Sequence, residues 1–166
     1  MRQILTNIKR GMNFLLARIA AILLSAMTLL VLYQVFTRYV LNAPAAFTEE
    51  IVRYLLIWTG FIGAAYAFST RQHMALVIVR DKLPEEKRKV LMVIIDSLIL
   101  LFALFVMTIG GTKLALSAIK EYSALLGISR GLVYSMAPIS GVFIIVAQMI
   151  NIYEDITGYV IEEVEG

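Results

Sequence analysis

The 166 residues include no cysteine, one histidine, three prolines and one tryptophan, and only 16% of them are charged. Without cysteine there can be no disulfide framework, no CxxC redox pair and no thiolate metal site. A lone His73 cannot form a histidine-rich metal cluster, nor ligate a haem from both sides without another chain. There is no basic stripe interleaved with aromatics of the kind that binds nucleic acid. No glycine-rich phosphate loop is present, and no nucleophile comes with a base and an orienting partner. An enzyme acting alone is therefore not the expected class, and no cofactor, metal or substrate ligand set is expected.

What the chain does have is hydrocarbon. Sixty per cent of its residues are hydrophobic and the mean hydropathy is +0.84, which leaves little for a separate water-soluble domain. Between Arg18 and Arg38 no residue is charged, and similar runs recur near residues 54–70, 97–112 and 131–153. About 20 apolar residues at about 1.5 Å rise each cross roughly 30 Å of hydrocarbon. The expected fold is one all-α membrane domain over residues 1–166, with spans at about 15–37, 49–70, 89–112 and 131–153. Arg2, Lys9 and Arg10 before the first run resemble the start of a signal peptide. The run is too long for one and ends at Arg38-Tyr39, so an uncleaved first span is expected.

Positive charge sets the expected orientation. With the N-terminus cytoplasmic, the inside holds Arg2, Lys9, Arg10, Arg71, Arg80, Lys82, Lys87, Arg88 and Lys89, and the outside only Arg38, Lys113, Lys120 and Arg130. Both termini are expected inside. Tyr39, Tyr54 and Tyr134 then fall near the outer boundary, and Tyr66 and Tyr153 near the inner one.

The connections carry their own punctuation. Asn42-Ala43-Pro44 breaks the first helix, and Thr48 before Glu49-Glu50 reads as an N-cap that starts the second. Met74 to Val79 is too short to cross and is expected to lie along the inner surface, and Leu83-Pro84-Glu85-Glu86 opens a third helix. Gly127 and Gly131 bracket the entry to the last span, where Pro138 can kink a helix already begun.

Polar and small residues near the membrane are the candidate contact sites. Glu49, Glu50 and Arg53 have the spacing to pair along one helix, as an anchor for a partner chain or as an interfacial salt bridge that sets helix depth. Trp58 lies about a turn deeper. Gly60 with Ala64, and Gly63 with Ala67, have the small-xxx-small spacing that lets another helix approach. Asp96 lies roughly 10 Å beyond Lys89 along its helix, as a proton or sodium relay or as a residue paired with a partner. His73 reads as a loop contact.

At residues 34–73 the sequence resembles a specific family. The residues Gln34-Val35-Phe36-Thr37-Arg38-Tyr39-Val40-Leu41-Asn42-Ala43-Pro44, then Thr48-Glu49-Glu50-Ile51-Val52-Arg53-Tyr54, Trp58, Gly63-Ala64-Ala65 and His73, are similar to the small, DctQ-type membrane subunit of tripartite ATP-independent periplasmic (TRAP) transporters. Phe47 stands where that family usually has Trp, and Gln72 precedes His73 where a Gly-Glu or similar pair is frequent. The resemblance implies a non-catalytic inner-membrane subunit packed on the static part of a large elevator-type subunit. That large subunit would import an organic acid, of the sialic acid or C4-dicarboxylate class, with sodium after delivery by a periplasmic binding protein. It also implies that Glu49, Glu50, Arg53, Trp58, Gly60, Gly63, Ala64 and Asp96 serve subunit contact, and that substrate and sodium ligands belong to the other chain. On the residues alone two other classes stay open: a homodimeric exporter coupled through Asp96, and a membrane anchor for a redox enzyme.

Overall fold

The computed structural model describes residues 2–71 and 85–157. The helices are α1 (Arg2–Tyr39), α2 (Ala46–Ser69), α3 (Glu85–Phe102), a π-helical segment (Ala103–Gly110), α4 (Gly111–Ser117), α5 (Arg130–Tyr134) and α6 (Met136–Thr157). Four stretches are long and apolar enough to cross a membrane: Gln3–Tyr39, Ala46–Ser69, Arg88–Ser117 and Arg130–Thr157. The protein is an all-α, multi-pass membrane protein. The expected surface segment at 74–79, the Leu83-Pro84 junction, His73 and the acidic tail beyond residue 157 lie outside the described residues.

The spans run alternately up and down. Ser69 of α2 meets Asn13 of α1, so these helices are antiparallel. Trp58 bonds to Val133 and Arg71 to Asn151, so the second and fourth spans are parallel. Thr108 faces Gly141 and Gly111 faces Pro138, which sets the third span antiparallel to the fourth. The fourth span is central and packs on both the second and the third, while α1 packs mainly on α2.

Leu16, Ile62, Ala65, Ala103, Met107, Ile144 and Ala147 form the buried core. Lipid tails are as apolar as leucine, so close packing and interhelical hydrogen bonds hold such a core together rather than escape from water. Two glycines show how close the packing is. A Cβ at Gly131 would lie 2.5 Å from the Ala115 carbonyl oxygen, and one at Gly141 would lie 2.6 Å from Thr108 Oγ1. Ile22, Leu29 and Leu32 of α1 stay exposed, as a lipid-facing surface requires.

Several boundaries differ from the sequence expectation. Helix α1 begins near residue 2 rather than 15, because Thr6, Lys9 and Met12 are buried against the rest of the bundle. Thr48 does not cap α2. The helix starts at Ala46 behind Ala45, with no side-chain cap bond, and the fully buried Thr48 hydroxyl instead donates to the Ala45 carbonyl at 2.6 Å. Alanine favours the helix there, and Pro44 already ends the preceding turn.

The third span reaches Ser117, about a turn beyond the expected end, and widens into π geometry over Ala103–Gly110. Thr108 Oγ1 donates to the Ala103 carbonyl five residues earlier, at 2.9 Å. Gly110-Gly111 supplies no side chain to hold the tighter register, and Gly111 is pressed against Pro138 and Ala137. The fourth span breaks at Ser135, between α5 and α6. Pro138 has no N–H to give the Tyr134 carbonyl, so the helical ladder is interrupted at that turn.

Candidate subunit interface and its two polar ends

At the end of the bundle where α2 begins, Glu50 is half-buried while Glu49 and Arg53 are exposed. Neither glutamate forms the expected ion pair with Arg53; the ion pairs among the described residues lie elsewhere. Tyr54, one turn on, donates its hydroxyl to Glu50 Oε1 at 2.6 Å, and the other carboxylate oxygen is buried with no hydrogen-bond partner among the described residues. Residues 50 and 54 share a helix face, whereas Arg53 points outward. Glu49, Glu50, Arg53 and Arg130, with Ala124 and Leu125 of the connecting loop, line a cavity of about 320 Å³. Arg130 also meets Glu121 at 3.5 Å, an exposed contact worth little in stability.

That loop is well ordered by its own bonds. Ser123 N–H donates to the Ile128 carbonyl, Gly127 N–H donates to the Ser123 carbonyl, and Gly127 takes φ +64°, which only glycine adopts cheaply. Trp58 is turned inward: its indole N–H donates to the Val133 carbonyl at 3.1 Å, which fastens α2 to α5.

The opposite end holds a buried charge network that joins all four spans. Lys9 of α1 donates to both carboxylate oxygens of Glu154, at 2.9 and 3.0 Å, and to Asn151 Oδ1 at 2.9 Å. Asn151 donates in turn to the Phe68 carbonyl at the end of α2. Arg71, two residues past α2, donates to both oxygens of Asp155, to the Asn151 carbonyl at 2.6 Å and to Asp96 at 3.2 Å. Its φ of +55° is a left-handed conformation that a long side chain adopts only when its contacts hold it there. Burial opposes the guanidinium charge. Hydrogen bonding and charge from Asp155, with further charge from Asp96 and Glu154, outweigh that and hold its pKa above the ordinary value.

Asp96 is 1% exposed and pairs with Arg71 of the same chain. Sequence reasoning missed Asn151, Glu154 and Asp155 as members of a site, and counted Lys9 and Arg71 only as loop charges. The available signal was Lys9 with Asn13, and Asn151 with Glu154 and Asp155, at helical spacing beside apolar runs.

Between these ends an apolar groove opens to the membrane. Its walls are α2 from Leu56 to Phe68 and the third span from Phe102 to Leu114, its floor is Ala137, and its volume is about 710 Å³. Gly60 and Ala64 lie on one wall and Gly110 on the other. A Cβ added at Gly60 or Gly63 would meet nothing within 4 Å among the described residues, so none of them requires those glycines. Among the described residues no group of three or more His, Asp or Glu could hold a metal ion.

Comparison with known proteins bears on these surfaces. A family model described as the DctQ component of tripartite ATP-independent periplasmic transporters matches residues 27–158. A chain of Haemophilus influenzae named as a TRAP transporter small permease protein is 31% identical, over 74% of this chain and 75% of its own. The sialic acid TRAP transporter small permease protein SiaQ of Vibrio cholerae is 28% identical, over 92% of this chain and 84% of its own. The sialic acid TRAP transporter permease protein SiaT of Haemophilus influenzae is 25% identical over 71% of this chain, and the match takes up 20% of that longer protein.

Proposed function

The chain belongs to the DctQ family of TRAP transporter components and is a small permease subunit; from that premise we propose that it is the stationary frame on which a large elevator-type permease subunit moves. The charge network carries the reading. It ties the same end of all four spans together through Lys9 and Arg71, so the helices act as one body. A domain that carries cargo across a bilayer needs such a fixed body to move against.

The relatives that transport sialic acid support a carboxylated sugar of that class as the cargo, with C4-dicarboxylates as the second reading. Cargo and sodium would be bound by the large subunit after delivery by a periplasmic binding protein, and the small subunit would do no covalent chemistry. The nine-to-four distribution of basic residues supports cytoplasmic termini. In that orientation the charge network faces the cytoplasm, and the Glu49, Glu50, Arg53 and Arg130 cavity faces the periplasm as a docking surface.

Co-expression and reconstitution test the proposal. The chain should co-purify with a much larger hydrophobic partner, and vesicles should take up sialic acid only when both subunits and the binding protein are present. Uptake by the isolated chain, or substrate binding to it, would overturn the assignment.

A further inference from the structure

We infer that Arg18, on the outward side of α1, binds the headgroup of an anionic phospholipid, with Arg10 as the second cation of the same site.

Depth places the guanidinium at the right level. Helix α1 is 38 residues long, about 57 Å at helical rise and almost twice the thickness of the hydrocarbon. The 19 uncharged residues between Arg18 and Arg38 cover about 28 Å of it, so these two arginines stand at the two hydrocarbon boundaries. The second span agrees. It ends at Ser69, which meets Asn13, about 7.5 Å from Arg18 along α1 towards the N-terminus. The Arg18 guanidinium lies over the ring of Phe14, one turn nearer that end, at 3.8 Å from the centroid. A cation that leaves the hydrocarbon in this way arrives where lipid phosphates lie.

The surface around it suits acyl chains and a headgroup. Phe14, Leu15, Ile22 and Leu29 are exposed on the side of Arg18, while Met12 and Leu16 turn into the bundle. Gly11, two turns before Arg18, is exposed, and a Cβ there would meet nothing within 4 Å among the described residues. That leaves room for a headgroup below the guanidinium, with the exposed Arg10 beside it.

The chain supplies these two cations with no anion. Its first acidic residue is Glu49, so α1 carries none. Of the acids in the charge network at this end, Glu154 pairs with Lys9, and Asp96 and Asp155 pair with Arg71. Arg10 and Arg18 form no ion pair among the described residues. A guanidinium presents two parallel N–H donors that match two phosphate oxygens. A zwitterionic headgroup brings its own cation, so two unpaired arginines favour a lipid of net negative charge.

The test uses the complex as extracted from membranes, large subunit included, in nanodiscs that contain photoactivatable lipid. A phosphatidylglycerol probe with a diazirine near its headgroup should label α1 between Arg10 and Arg18. A phosphatidylcholine probe with the same acyl chains should label that stretch several-fold less. Arg18→Gln should lower the phosphatidylglycerol label by about fivefold, the weight of one basic residue at an anionic surface, and leave the phosphatidylcholine label unchanged. Arg18→Lys should keep part of the label, because the charge stays and the fork is lost. Equal labelling by the two probes, or labelling indifferent to Arg18→Gln, would overturn the site. So would p-benzoylphenylalanine at Leu15 crosslinking to an acidic segment of another polypeptide instead of to lipid. Should replacement of Arg18 prevent assembly, the two probes on the unaltered chain and on Arg10→Gln decide by themselves. Failure to associate with a large permease would bear on the subunit assignment alone.

Discussion

Arg71 and Asp155 meet through two parallel hydrogen bonds, of 2.8 and 3.0 Å, although 84 residues separate them. The fork of a guanidinium fits a carboxylate in this way, and a lysine would make only a point contact. The same guanidinium also holds Asp96, so one side chain closes the second, third and fourth spans on one another.

Removing it should therefore be costly. Arg71→Ala leaves Asp96 buried without its counter-charge, and breaking such a pair costs about 3 kcal/mol, the lower end of the usual range because Arg71 itself is 20% exposed. Arg71→Lys should recover only part of that. Thermal unfolding of the detergent-solubilised complex, followed by size-exclusion, should rank wild type above Lys and Lys above Ala. Equal stability of all three would show that the network does not hold the frame.

Asp96 itself offers the opposite expectation. Asn in its place still offers an oxygen to Arg71, so Asp96→Asn should cost no more than about 1.5 kcal/mol, a charged hydrogen bond weakened rather than abolished. Uptake by the assembled carrier should stay close to wild type. Abolished uptake at normal complex yield would make Asp96 a coupling residue and revive the exporter reading.

Lys9 and Glu154 separate pairing from charge. Glu154 is 5% exposed and Lys9 its only ion-pair partner among the described residues, so Lys9→Met strands a carboxylate and Glu154→Leu strands an ammonium. Replacing both removes the stranded charge, and well-packed apolar substitutes for a buried pair are often neutral. The double variant should be more stable than either single one, as a double-mutant cycle would read directly.

How much of this could be read from the chain depends on distance along it. The four spans were legible because a run of about 20 apolar residues has few other uses. The partner of Asp96 was not, since Arg71 lies 25 residues away and is itself held by Asp155, 84 residues further on, and no periodicity links a loop arginine to two helices. The expected pairing of Glu50 with Arg53 failed for a local reason: three and four residues along a helix are both within reach, and Tyr54 rather than Arg53 faces Glu50. The π segment had only Gly110-Gly111 as a hint, and glycine pairs alone do not specify a wider helix.

Arg53 separates stability from docking. It is exposed and forms no ion pair among the described residues, so Arg53→Ala should change the stability of the small subunit by less than about 0.5 kcal/mol, as surface substitutions usually do. If the cavity it shares with Glu49 and Arg130 receives the periplasmic binding protein, the same change should weaken that encounter, mostly through its association rate and most visibly at low salt. Uptake by vesicles, titrated with binding protein at two ionic strengths, measures this. The expected result is a higher half-saturating concentration of binding protein, with the maximal rate unchanged. A lower maximal rate at unchanged half-saturation would move Arg53 from docking to the transport step itself.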